Sequence, residues 1–319
     1  MNRPLRELSA NREELLMKKI KAQLYIRKYW QLYALLLLPA FCFFLFKLLP
    51  IAGNVIAFRR YRMGQSVFGV EWVGFRYFQM FMRDPSFWRA FTNTLTLSVT
   101  NLVCTFPIPI IFALLLNEVR NAKAKKFIQT VTYLPRFFST VVIISMMTEL
   151  MSPTTGIINK AIQFLGGNPI YFMGEPEWFR FNYVLSDAWQ FTGYTAVIYF
   201  AAITGVSSDL YEAAMIDGAN RWQQTIYVTL PSILSTIVVM LIMKIGQLMT
   251  LSFEKVLLMY NTQNSSTSDI IDTFVYRIGM TQTNYSYATA VGLFGAAVGL
   301  VLVIGANSLS RALTGESLY

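Results

Sequence analysis

Six apolar runs, each long enough to cross a bilayer as a helix, constrain this chain more than any other feature. They cover residues 32–58, 90–116, 127–150, 183–206, 233–260 and 287–309. A hydrocarbon layer of ~30 Å takes about 20 helical residues to span. Lipid offers no hydrogen bonds, so each run must satisfy its backbone internally, and helix is the economical way to do so. The expected fold is all-α, a polytopic membrane helix bundle of six transmembrane helices over residues 32–309. A basic tail (1–31) precedes it and a short tail (310–319) follows. Composition agrees: 14% of the 319 residues are charged and 55% are hydrophobic, whereas a soluble domain carries about a quarter charged.

Prolines mark irregularities inside the runs. Pro39 and Pro50 should bend the first, Pro107-Ile108-Pro109 should break the second, and Pro135 interrupts the third. The first run exceeds a signal-peptide core and ends in Arg59-Arg60-Tyr61-Arg62 rather than a small-residue cleavage site. It therefore reads as a retained span.

The net charge of +10 is distributed by side. Arg3, Arg6, Arg12, Lys18, Lys19, Lys21, Arg27, Lys28, Arg120, Lys123, Lys125, Lys126, Arg221 and Arg311 fall on one face of the expected topology. Arg59, Arg60, Arg62, Arg76, Arg83, Arg89, Lys160, Arg180 and Arg277 fall on the other. By the positive-inside rule the richer face is cytoplasmic, with both termini inside. The outer loops 60–88 and 151–182 are rich in aromatics, among them Trp72, Phe81, Phe87, Trp88, Phe172, Trp178 and Phe179. These read either as interfacial anchors or as a docking surface for an external partner.

Reactive chemistry is scarce. The chain has no His, and its two Cys, Cys42 and Cys104, lie inside apolar runs as small packing residues. With no His and no clustered Cys, zinc, haem and Ser/His chemistry have no obvious ligands or bases, and no Gly-rich phosphate loop is present. The chain is expected to be no enzyme and to bind no cofactor. Nucleic-acid binding does not fit charges dispersed between apolar runs.

One connection stands out. The loop 207–231 contains Leu210-Tyr211-Glu212-Ala213-Ala214-Met215-Ile216-Asp217-Gly218-Ala219-Asn220-Arg221-Trp222 and ends in Leu230-Pro231. Ser208 or Asp209 can cap a short helix, and Ala213-Ala214 are strong helix formers. Gly218 permits a sharp reversal, and Arg221-Trp222 opens a second helical piece. A bent pair of short helices with small residues suits a groove on another protein. An ordinary inter-helix connection is the plain alternative.

The spacing from Glu212-Ala213-Ala214 to Gly218 and on to Leu230-Pro231 resembles the EAA loop of permease subunits of binding-protein-dependent ABC importers. Tyr211-Glu212-Ala213-Ala214 through Asp217-Gly218-Ala219 is similar to the sugar-importing, maltose-type branch. So are Asn93-Thr94, Ala113-Leu114-Leu115-Leu116-Asn117, Tyr133-Leu134-Pro135, Trp189 and Ala288-Thr289-Ala290-Val291-Gly292-Leu293. Val228 departs from the family's frequent Ile. Within the branch the chain resembles permeases for oligosaccharides and polysaccharide fragments, including acidic ones derived from alginate or pectin. The resemblance implies a coupling helix seated in an ATPase cleft, with Glu212, Ala213, Ala214, Asp217, Gly218 and Arg221 as the contact set. It also implies a prokaryotic cytoplasmic membrane as the location, a second permease subunit, two cytosolic ATPase subunits that use ATP and Mg, and an external solute-binding protein that delivers the carbohydrate. A secondary transporter or a structural subunit without ATPase coupling is the alternative.

Polar residues at membrane depth are costly and usually face a cavity or a partner. On a continuous fifth helix, Lys244, Gln247, Glu254 and Lys255 share a stripe about 100° wide. That stripe reads as either the substrate path or a packing pair of Lys and Glu. Trp189, Gln190 and Tyr194 on the fourth run add rings and an amide suited to sugars. Asn93, Asn101, Glu149 and Asp187 are further polar candidates, and Arg136 is read as lying near an interface.

Overall fold

The computed structural model describes residues 28–66 and 71–314. Most of the basic tail, Arg3 to Arg27, and residues 315–319 lie outside the described residues. Among the described residues the regular structure is helical apart from one β-bridge between Arg59 and Trp72. Helix α1 (Trp30–Phe58) is followed by α2 (Arg76–Met82) and α3 (Pro85–Glu118). Next come α4 (Ala122–Phe137), α5 (Thr140–Leu150), α6 (Ile157–Phe164) and α7 (Pro176–Thr204). The chain continues through α8 (Ser208–Ile216), α9 (Arg221–Ser232), α10 (Leu234–Gly246) and α11 (Phe253–Met259). Helix α12 (Ile271–Tyr276) and α13 (Tyr285–Thr314) complete it.

Helices α1, α3 and α13 are long and apolar enough to cross a membrane. Counting the bent pairs α4–α5 and α9–α10 as one span each makes five. Helix α7 has 29 residues but carries Glu177, Arg180 and Asp187, which dilute its apolar character.

Three expectations about local structure need correction. The Pro107-Ile108-Pro109 break is hardly a break: Phe106 N–H still donates to Leu102 O at 2.9 Å, and the helix resumes at Pro107, where a missing N–H is harmless. The fifth run, by contrast, is not one helix. It bends by 62° at Ile233, ends at Gly246, crosses a non-helical stretch and restarts at Phe253. Finally, Ser207, rather than Ser208 or Asp209, caps α8, accepting from Asp209 N–H at 3.3 Å. Pro135 does act as expected, since α4 ends in a 3₁₀ turn, Leu134–Phe137, and α5 departs at 103°.

Helix α1 buries no residue between Trp30 and Phe43 and meets the bundle through its last turns, which pack on α13. Cys42 on this helix and Cys104 on α3 are both exposed, so neither is an interior packing residue. The outer-loop aromatics are split. Phe81, Phe87 and Phe179 are fully buried and form cores, with the Phe81 and Phe87 rings 4.6 Å apart and tilted by 50°, beside Phe294 and Tyr287. Trp72, Phe75 and Trp88 remain exposed. A second cluster joins Ile143 and Met147 of α5 to Tyr183 of α7 and Val256 and Met259 of α11. Helix α7 is the central post, packed on both α3 and α4. Its approach to α4 is so close that a Cβ on Gly193 would lie 2.1 Å from the carbonyl oxygen of Thr132. Small residues at such crossings let van der Waals packing hold helices where no water is expelled.

Candidate functional site

The loop 207–231 folds into a self-contained elbow. Gly218 has φ +81°, a conformation costly for any residue with a Cβ. It closes α8 with two bonds: Gly218 N–H donates to Met215 O at 3.1 Å, and Ala219 N–H to Ala214 O at 2.8 Å. This is the Schellman arrangement, which satisfies the last carbonyls of a helix. Two residues on, Asn220 and Gln223 form a reciprocal capping box, with Gln223 N–H donating to Asn220 Oδ1 at 2.9 Å and Asn220 N–H to Gln223 Oε1 at 2.8 Å. Gln224 Nε2 donates to Ala219 O at 3.0 Å, bracing the second arm against the turn.

The elbow is closed on itself and fastened to the bundle. Tyr211 Oη of the first arm lies 3.0 Å from Thr229 Oγ1 of the second, and Arg221 Nη1 pairs with Glu118 Oε2 at 2.5 Å where α3 ends. Arg221 thus has an anchoring contact within the chain. Glu212, Ala213, Asp217 and Gly218 are exposed, while Ala214 is half-buried. Around them stand Leu210, Met215, Ile216 and Trp222, the last two 87% and 72% exposed. An apolar patch rimmed by charge marks an interaction surface.

The second feature is a cavity of about 490 Å³ between α3, α7, the α4–α5 bend and the α10–α11 break. Its lining includes Asn101, Arg136, Tyr183, Asp187, Phe191, Tyr194, Lys244 and Gln247. Of the sequence candidates for the substrate path, Tyr194, Lys244 and Gln247 therefore come together. Trp189, Gln190 and Glu254 do not. Trp189 is 39% exposed on another face of α7. Gln190 is buried, with Nε2 donating to Phe138 O at 3.3 Å. Glu254 is exposed at the start of α11. The stripe containing Glu254 and Lys255 required a continuous helix, and the break at 247–252 removes that premise.

The break itself helps to build the cavity. Freed backbone groups find partners in tight turns, where Thr250 N–H donates to Gln247 O at 2.9 Å. They also find neighbouring spans: Ser98 Oγ donates to Leu248 O, and Ser252 N–H reaches Tyr183 Oη at 3.4 Å. Irregular backbone at membrane depth is tolerated where it borders a cavity in this way. Beside the lining, Lys255 is only 1% exposed and its Nζ pairs with Asp187 Oδ1 at 3.0 Å. Asn101 Nδ2 donates to Asp187 Oδ2 at 3.1 Å. Arg136 stacks over Phe191 and Tyr194, 5.1 and 5.4 Å from the ring centroids. Its place in the cavity was missed in the sequence because the bend at Pro135 turns it inward. Asn93 and Glu149 serve structure away from the cavity, the first between distant segments and the second locally. Asn93 Nδ2 donates to Ser266 O at 2.9 Å, and Glu149 accepts from Thr155 Oγ1 at 3.1 Å.

Comparisons with known proteins agree with this geometry. The family model for the binding-protein-dependent transport system inner membrane component matches residues 106–315. The polygalacturonan/rhamnogalacturonan transport system permease protein YteP of Bacillus subtilis is 46% identical over 302 residues, 95% of this chain and 94% of the relative. Protein LplB of the same organism is 45% identical over 286 residues, 89% of this chain and 90% of the relative. A crystal structure of a bacterial ABC transporter involved in the import of the acidic polysaccharide alginate contains a chain with TM-score 0.85 and 38% identity. The match covers 92% of this chain and 99% of that one. The alginate transporter has also been solved in complex with an alginate pentasaccharide-bound periplasmic protein, with the same TM-score and identity.

Proposed function

This chain belongs to the binding-protein-dependent transport system inner membrane component family, and from that premise we propose that it is the permease subunit of an ATP-driven importer for an oligosaccharide. In this reading α7 completes a six-span count, both termini are cytoplasmic, and the elbow faces the cytosol. The chain forms a heterodimer with a second permease, and two ATPase subunits that use ATP and Mg dock beneath. An external solute-binding protein hands over the sugar. Catalysis resides in the ATPase subunits, and this chain binds no cofactor.

The observation that carries the proposal is the exposed elbow, closed on itself, tied to α3 by Arg221–Glu118 and running on through α9 into α10. Glu212 makes a polar contact in the ATPase cleft, and Ala213 and Ala214 allow close approach. Asp217 and Trp222 lie alongside. When two ATPase subunits close on ATP, the elbow is drawn inward. Through the Arg221–Glu118 contact it drags α3, and through the chain itself α10, both of which border the cavity. Two packings of the same helices, biased by nucleotide, suffice for alternating access.

Energised uptake and co-purification test this. The wild-type importer retains its ATPase and accumulates oligosaccharide only with ATP and the solute-binding protein. Glu212→Arg and Gly218→Leu release the ATPase and abolish uptake. Retention of the ATPase in both variants, with uptake unchanged, refutes the reading.

A further inference from the structure

The charge inventory of the cavity is unbalanced. Its lining holds one carboxylate, Asp187, and two cations, Arg136 and Lys244. Asp187 is already engaged, by buried Lys255 on one oxygen and Asn101 on the other. Among the described residues neither Arg136 nor Lys244 makes an ion pair. Two positive charges without an ion-pair partner thus face one cavity, Arg136 exposed to it and Lys244 half-buried. Both sit where the helices are interrupted. Arg136 is in the 3₁₀ turn at the 103° bend, and Lys244 is in the last turn of α10 before the break.

We infer that Arg136 and Lys244 are specificity-determining residues that anchor carboxylates of an acidic oligosaccharide, with Lys255 holding Asp187 out of competition. This rests on the proposed oligosaccharide permease function and deepens it. The guanidinium of Arg136 is oriented by its stacking on Phe191 and Tyr194 and offers the planar fork that matches a carboxylate. Lys244 supplies a second, point-like charge. The ring of Tyr194, 53% exposed at the lining, adds apolar surface for the face of a sugar ring. A neutral chain of the same size would leave both cations without partners. An acidic one offsets them, and that difference is the selectivity. Lys255 contributes through Asp187: without it, a free carboxylate at the cavity wall would repel the substrate's own.

The test uses the complete importer with its solute-binding protein in proteoliposomes, measuring initial uptake of trigalacturonate and of its methyl-esterified, uncharged form. The solute-binding protein is the same throughout, so differences between permease variants belong to the permease. Arg136→Gln and Lys244→Gln should each raise KM for trigalacturonate about tenfold or more, the usual scale of a lost charge-assisted hydrogen bond. They should leave uptake of the ester within about twofold of wild type. Arg136→Lys should recover part of the loss, which a folding defect would not allow. Lys255→Met, which lowers stability and so uptake of both sugars, should depress trigalacturonate uptake further than that of the ester, and adding Asp187→Asn should restore the acid-to-ester ratio. Equal losses for acid and ester, or unchanged acid uptake in both Gln variants, overturns the inference. A wild-type importer that takes up only neutral oligosaccharides overturns it too but leaves the proposed function standing; uptake of no oligosaccharide refutes the function itself.

Discussion

Gly218 carries the elbow on one backbone angle. At φ +81° nothing lies within 4 Å of where a Cβ would stand, so a substitution there is resisted by conformation rather than by space. Gly218→Val should cost about 1–2 kcal/mol locally and loosen α8 while leaving the bundle intact. The check is proteolysis of the purified permease: cleavage should accelerate between residues 207 and 231 and nowhere else. At Lys255 the account makes the opposite kind of prediction, since burial sets the cost. Lys255→Met leaves Asp187 buried without its cation and should destabilise the bundle by about 3–5 kcal/mol. Lys255→Met with Asp187→Leu removes both charges and should recover most of that loss in a thermal-shift measurement. A double variant as unstable as the single one would mean that the pair does not account for the cost.

Helix α7 is the element on which the others are hung, and Gly193 shows how tightly. Because a Cβ would meet a backbone oxygen of α4 rather than a mobile side-chain tip, Gly193→Ala must push two helices apart. Overpacking of this kind costs about 1–3 kcal/mol. Lower yield and a reduced thermal midpoint of the assembled importer are expected, whereas Gly205→Ala, at the looser end of α7, should be tolerated. Element existence was legible in the sequence because apolar length reports directly on the bilayer. Interruptions were legible only in part. Pro135 announced its bend, but two prolines in α3 proved harmless, since one falls where a new helical segment may start. The break at 247–252 has no proline at all, and its cause is tertiary: Ser98 and Tyr183, far away in sequence, bind the freed backbone. Hence the polar stripe drawn on a continuous fifth helix joined residues that the fold separates, keeping Lys244 and Gln247 at the cavity while Glu254 leaves it.

Across the whole molecule, the elbow was readable because its geometry is local. Asn220, Gln223 and Gly218 act within a few residues of one another, and sequence spacing encodes such contacts. The cavity was half readable, because Asp187 and Tyr194 on α7 and Lys244 on α10 come from different spans and only the fold decides that they meet Arg136. The central claim is that this elbow is the handle through which a cytosolic ATPase moves the spans. It is tested most directly by a single cysteine at Ala213, in a chain whose Cys42 and Cys104 are replaced by Ser. Ala213→Cys should react with a membrane-impermeant maleimide only after cells are opened, and should crosslink to the ATPase subunit in the assembled importer. Labelling in intact cells, or an assembled importer that never yields the crosslink, would contradict the account.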